Sequence, residues 1–145
     1  MKICQFYKTN NSYKVVPMSR TKSGYYIGNY KVYICPINTD IESFRDLIFQ
    51  SLSESKQLDN DEGPIGKEFL KLIKEKSLKG LYSSSNYCTV SMEDNVLTIT
   101  PQKPFPKWRG IEDMVDSVIK MEYSKDNELA IAQKIIDVLE VSYHE

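Results

Sequence analysis

The segment Tyr87-Cys88-Thr89-Val90-Ser91-Met92-Glu93-Asp94-Asn95-Val96-Leu97-Thr98-Ile99-Thr100 decides the fold class. Cys88, Val90 and Met92 alternate with Tyr87, Thr89 and Ser91, and Leu97 and Ile99 alternate with Val96, Thr98 and Thr100. A period of two marks half-buried strands, and Glu93-Asp94-Asn95 supplies a turn between them. The stretch predicts an antiparallel hairpin with Cys88, Val90, Met92, Leu97 and Ile99 on its core face.

Downstream, Pro101 to Gly110 holds three prolines with Lys103, Lys107, Trp108 and Arg109, which predicts an irregular loop. The spacing of Met114 to Met121 fits a strand or a helical turn equally. Asp126 to Val141 puts Leu129, Ala132, Ile135, Ile136 and Leu139 on one stripe, a helix that Asp126 can cap. Upstream, Ser83-Ser84-Ser85-Asn86 reads as a loop. Before it, Gly63-Pro64 opens a short helix with Ile65, Phe69, Leu72 and Ile73 on one face and Lys67, Lys71 and Lys74 on the other. An earlier helix begins at Asn38-Thr39-Asp40, where Thr39 and Glu42 have capping-box spacing, and runs to about Ser55 with Ile41, Phe44, Leu47, Ile48 and Leu52 in period.

The N-terminal third reads as strand. Ile3 to Tyr7 and Tyr13 to Met18 flank a turn at Thr9-Asn10-Asn11-Ser12, and Tyr25 to Ile27 and Tyr30 to Cys35 flank Gly28-Asn29, a connection compatible with a tight hairpin. Four strands, two helices, a hairpin and a C-terminal helix predict an α+β fold, a mainly antiparallel sheet covered by helices. At 145 residues the chain fits one domain spanning 1–145.

Three widely spaced cysteines, Cys4, Cys35 and Cys88, lie in apolar alternations, the pattern of reduced core thiols in a reducing compartment. The N-terminus has no signal-peptide run and no stretch approaches 18 apolar residues, so the expectation is a cytoplasmic protein off the membrane. The net charge of −1 conceals segregation. Met1 to Thr39 carries six bases and no acid; Asp40 to Gly63 carries seven acids and two bases; residues 108–145 carry nine acids and four bases. Opposite-sign faces steer charged partners.

No catalytic motif accompanies these blocks. The single histidine, His144, sits one residue from the end, so Cys-His catalysis lacks a placed base and a multi-ligand His metal site cannot be assembled. Gly63-Pro64-Ile65-Gly66-Lys67 departs from a phosphate loop in spacing and in the Glu68 that follows. Glu112, Asp113 and Asp116 on one helical face read as metal ligands of a hydrolase, or simply as acids meeting a helix dipole. Lys67, Lys71 and Lys74 with the tyrosines read as a nucleic-acid regulator's surface, or as a solvated helix face. Trp108 beside Arg109 has hot-spot composition, and equally suits a cover over one end of the core.

The order of motifs then adds a resemblance. Tyr25-Tyr26-Ile27-Gly28-Asn29-Tyr30-Lys31-Val32-Tyr33-Ile34, a helix ending near Ser51-Leu52-Ser53-Glu54-Ser55, Lys76-Ser77-Leu78-Lys79-Gly80-Leu81-Tyr82, Cys88-Thr89-Val90 and Leu97-Thr98-Ile99-Thr100-Pro101 together resemble the immunity proteins of bacterial contact-dependent growth inhibition systems, over about three quarters of the chain. Trp108 and Gly110 sit where that family has a Trp-Ser-Gly loop, with Arg109 in place of the Ser. The resemblance implies a protein with no catalytic residues, cofactor or metal that neutralises the C-terminal toxin domain of a secreted effector, often a nuclease, in some members by accepting a β-hairpin that extends the sheet. Nucleic acid would then be bound by the toxin and not by this chain. A nuclease needs a basic surface for phosphates, and an acidic inhibitor speeds association with it. The expected toxin-facing set is Asp59, Asp61, Glu62, Glu112, Asp113 and Asp116, with Trp108 as aromatic anchor.

Overall fold

The computed structural model describes residues 1–144. Eight strands, β1 (Lys2–Lys8), β2 (Ser12–Arg20), β3 (Tyr26–Gly28), β4 (Tyr33–Pro36), β5 (Asn86–Glu93), β6 (Val96–Pro104), β7 (Ile111–Asp113) and β8 (Ile119–Glu122), form one antiparallel sheet in the order β3-β2-β1-β5-β6-β7. The helices are α1 (Ile41–Ser53), α2 (Gly66–Leu72), α3 (Leu78–Ser84) and α4 (Glu128–Glu140). The architecture is the α+β arrangement expected, including the C-terminal helix.

The β5–β6 hairpin pairs Val90 with Ile99 and Met92 with Leu97, and Asp94 and Asn95 turn it with φ of 51° and 61°. Positive φ at both central residues matches the right-handed strand twist. Cys88, Val90, Leu97 and Ile99 are buried under α1 and α4, which pack side by side on that face with Phe44, Ile48, Ile131 and Ile135 inside. Tyr7, Val16 and Tyr87 emerge on the opposite face, where they meet Leu81 of α3 and Ile73 beyond α2.

Two prolines explain where the sheet departs from the pattern of the sequence. Pro17 lies inside β2, and its carbonyl accepts from Asn29 N–H at 2.9 Å on the outer edge, where its own nitrogen has no hydrogen to give. The neighbouring chain breaks opposite it. β3 and β4 are therefore two pieces of one interrupted edge, both paired to β2, and not the Gly28-Asn29 hairpin expected. Pro101 acts alike in β6: its carbonyl accepts from Met114 N–H at 2.8 Å, and the flanking chain is split there into β7 and β8. Contrary to the irregular loop expected from Pro101, β6 runs through to Pro104.

Smaller corrections have equally local causes. Asp40, not Thr39, caps α1 by accepting from Ser43 N–H, and Thr39 Oγ1 donates to Pro36 instead. Ile65 precedes α2 and is 77% exposed. Ser83 and Ser84 end a helix that Ser77 caps through Gly80 N–H. In α4 Asn127 occupies the cap position without a side-chain bond, and Val138 is buried while Leu129 is exposed. Met114 to Met121 resolves into a single 3-10 turn at Val115–Ser117 and the start of β8.

Candidate functional site

The corner after Pro101 gathers four of the residues expected to face a partner. After β6, Phe105 N–H donates to Gly110 O (2.9 Å) and Trp108 N–H to Phe105 O (3.1 Å), closing a tight loop that returns into β7. Lys107 and Trp108 both sit in the left-handed region, at φ 61° and 56°. Such backbone costs about 1–3 kcal/mol per non-glycine residue and clusters at binding sites.

Two concavities adjoin here, sharing Lys103 and Glu112. One, of ≈ 410 Å³, is lined by Phe105, Trp108, Tyr143 and Lys107. The other, of ≈ 260 Å³, is lined by Asp113, Met114, Val115, Asp116 and Ser117. Val115 is 73% exposed beside Asp116. Because residues 111–113 form a strand, Glu112 and Asp113 project to opposite faces and not along one helical stripe. Glu112 pairs with Lys103 at 3.4 Å, while Asp113 Oδ1 accepts from Gln102 Nε2 at 2.9 Å. Among the described residues no group of three or more metal-ligating side chains converges.

Gln102 belongs to a buried chain of amides that sequence reading missed. Gln5 Nε2 donates to Gln102 Oε1 at 2.6 Å and to Cys88 O at 3.2 Å, and both glutamines are less than a tenth exposed. The chain runs from β1 across β5 to Asp113 on the outermost strand. β7 pairs with β6 alone, so the main-chain groups on its other side meet no neighbouring strand.

Trp108 stacks edge-on against His144 at 5.1 Å, and His144 in turn lies 5.9 Å from Tyr87. The lone histidine is thus half-buried and in contact, not frayed. Burial, with Tyr82 beside it, pushes the Tyr87 hydroxyl up to about 12, so it remains a donor, to Tyr82 O at 3.1 Å. The three cysteines are buried and unpaired, and burial raises each thiol.

The other expected acids lie elsewhere. The segment 56–60 follows the end of β2, with Arg20 N–H donating to Lys56 O and Leu58 N–H to Arg20 O, and Asp61 clamps the turn before β3 by accepting from Ser23 N–H and Oγ. Those bonds, the hydroxyl first, lower the Asp61 carboxyl. Asp59, Asp61 and Glu62 therefore sit by β3, and Glu112 and Asp113 on β7, at opposite ends of the strand order. Glu145, one of the acids counted after Arg109, lies outside the described residues. Lys67, Lys71 and Lys74 are exposed along and just beyond α2.

No protein-family model and no curated protein matches the chain. Solved structures share its fold. A protein of unknown function from Neisseria meningitidis superposes on 96% of this chain and 93% of its own, with a TM-score of 0.73 and 14% identity. A chain of the CdiA-CT/CdiI toxin and immunity complex from Yersinia pseudotuberculosis superposes on 94% of this chain and 96% of its own, with a TM-score of 0.65 and 11% identity. At such identities the likeness is one of fold. Among the described residues no helix is long and apolar enough to cross a membrane.

Proposed function

We propose that this chain is an immunity protein that binds and neutralises a toxin domain, a basic nuclease, and itself catalyses nothing. The observation that carries this reading is the fold shared over nearly the full length with a chain of a toxin and immunity complex. We assign the partner to the β6–β7 corner. Asp113 and Asp116 offer charge, Val115 an exposed apolar contact, and β7 an unpaired edge to which a strand of the toxin adds. Trp108 anchors one side. Asp59 and Glu62, at the far end of the sheet, act on association rate by their field and not by contact.

The test is co-expression with the C-terminal domain of a large secreted protein encoded beside the gene. Growth should be rescued and the two chains should co-purify. Charge reversal at Asp113 and Asp116 should raise the dissociation rate, whereas reversal at Asp59 and Glu62 should lower the association rate alone. Failure of any neighbouring toxin domain to bind would sink the reading.

A further inference from the structure

The basic half of the β6–β7 corner has a chemistry that a basic partner does not explain. Between Pro101 and Gly110 the chain carries Lys103, Lys107 and Arg109 and no acid, interleaved with Phe105 and Trp108. The nearest acid, Glu112, is neutralised by Lys103 at 3.4 Å. The charge of this loop gives a cationic partner no attraction, unlike that of the Asp113 and Asp116 concavity.

Phe105 is 43% exposed. The Cδ2–Cε2 edge of its ring lies by Gly110, where an added Cβ would meet Phe105 Cδ2 at 3.3 Å, so the glycine makes room for the ring beside the cavity. The platform is fixed in advance by the Phe105–Gly110 and Phe105–Trp108 main-chain bonds and by the left-handed backbone at Lys107 and Trp108. The adjoining cavity, ≈ 410 Å³ between Phe105, Trp108 and Tyr143, lies in the range of small-molecule clefts, roughly 300–1,000 Å³. An exposed aromatic ring beside a lysine with no ion pair among the described residues is the arrangement that stacks a base and holds its phosphate.

We infer that the Phe105–Trp108 cavity binds a planar anion, a nucleotide either free or at the end of a single-stranded nucleic acid. The base stacks on Phe105, and Lys107, on the cavity wall, holds the phosphate. An acidic peptide would satisfy the cations but leave the ring face unused. The inference uses neither the acidic concavity nor the β7 edge, and shares only Trp108 with the immunity reading.

The experiment follows the fluorescence of Trp108, the chain's single tryptophan, in the full-length protein. Adenosine 5′-monophosphate should give a saturable change, with adenosine and inorganic phosphate each at least about tenfold weaker. Phe105→Leu should weaken binding about 5- to 150-fold, the range of one base–aromatic stack. Lys107→Glu, at an exposed position on the cavity wall, should weaken it most at low salt, and it decides the matter alone if Phe105→Leu melts abnormally. A 5′-phosphorylated oligoadenylate that binds more tightly, with a steeper salt slope, assigns the site to a nucleic-acid end; equal affinity assigns it to the free nucleotide. No saturable change with either ligand overturns the inference. So does unaltered binding in a folded Phe105→Leu or Lys107→Glu protein, or an oligoglutamate peptide that binds as tightly as the nucleotide.

Discussion

The ion pair of Lys14 and Glu75 offers the sharpest test of how the second face of the sheet is held. Lys14 points from β2 into the segment between α2 and α3, where its ammonium donates to Ile73 O at 2.7 Å and to Lys74 O at 3.4 Å and pairs with Glu75. The side chains are 6% and 19% exposed. Lys74 itself stands at φ 57°, so this one ammonium fixes a strained reversal that leads into α3. Removing one partner of a buried pair costs about 3–5 kcal/mol because the other charge is left uncompensated. Glu75→Gln keeps the shape, and the two carbonyls still solvate the ammonium, which places the cost near the low end, at about 3 kcal/mol. For a chain of this length that is a fall of roughly 6–12 °C in Tm. Lys14→Met should cost less, about 1–3 kcal/mol, since it orphans carbonyls and leaves a carboxylate that can reach water. In the Lys14→Met background, Glu75→Gln should then add almost nothing. Urea unfolding of the two single variants and the double variant closes the cycle. If Glu75→Gln costs under about 1 kcal/mol, or if the single effects add within about 0.5 kcal/mol, the pair is not acting as a buried network and the argument fails.

Other consequences can be read from the same packing. Gln102→Leu strips Asp113 of its donor and Gln5 of its acceptor and should cost about 1–3 kcal/mol in urea, while a change confined to partner binding would mean that the amide chain only positions Asp113. Cys4 and Cys88, fully buried, should resist a soluble disulfide reagent at pH 8 until urea unfolds the chain; stoichiometric labelling of the native protein within minutes would contradict their burial. Their raised folded-state ionisation means that the unfolded thiols ionise first, so stability should decline as pH rises above about 8.5. Asp40 and Asp61 behave oppositely. Ser43 N–H, then its hydroxyl, lowers Asp40, and the Ser23 hydroxyl, then its N–H, lowers Asp61, so their contribution is present above the ordinary carboxylate range and lost as pH falls. The Tm gap between the native chain and Asp40→Ala or Asp61→Ala should therefore shrink below about pH 4, and a constant gap would exclude a charged cap.

The hairpin and the two long helices were legible because their cause is local: the alternation at Cys88 to Ile99 and the 3.6 period at Phe44, Ile48, Ala132, Ile135 and Leu139 report burial directly. The edges were not legible, because Pro17 and Pro101 act on a neighbour distant in sequence and not on their own strands. Within β2 and β6 each proline is harmless, as its missing N–H would point outward. Its effect appears at Asn29–Val32 and at Met114–Val118, where the partner chain must leave the sheet. Gly28-Asn29 looked like a hairpin for that reason. His144 was unreadable for a related one, since its contacts with Tyr87 and Trp108 lie 57 and 36 positions away in sequence.

Charge shows the same limit from the other side. Counted along the chain, the acids from Asp40 to Gly63 and those after Arg109 form two blocks of one sign, which invites a single acidic face. Topology puts Asp59, Asp61 and Glu62 by β3 and Glu112 and Asp113 on β7, at opposite ends of the strand order, and local chemistry dilutes each group: Asp61 is occupied by Ser23, and Glu112 by Lys103. What remains at the β6–β7 corner is two adjoining concavities of opposite sign, Asp113 and Asp116 in one and Lys107 in the other, with Arg109 on the same loop. A uniform acidic patch attracts any basic surface, whereas a dipolar corner beside an open strand edge accepts only a partner with matching order. Reversing both signs at once, with Asp113→Lys and Asp116→Lys in one half and Lys107→Glu and Arg109→Glu in the other, leaves the net charge of the corner unchanged. If order matters, the fourfold variant should lose the partner as fully as the acidic pair alone does; if only net charge matters, it should bind like the native chain.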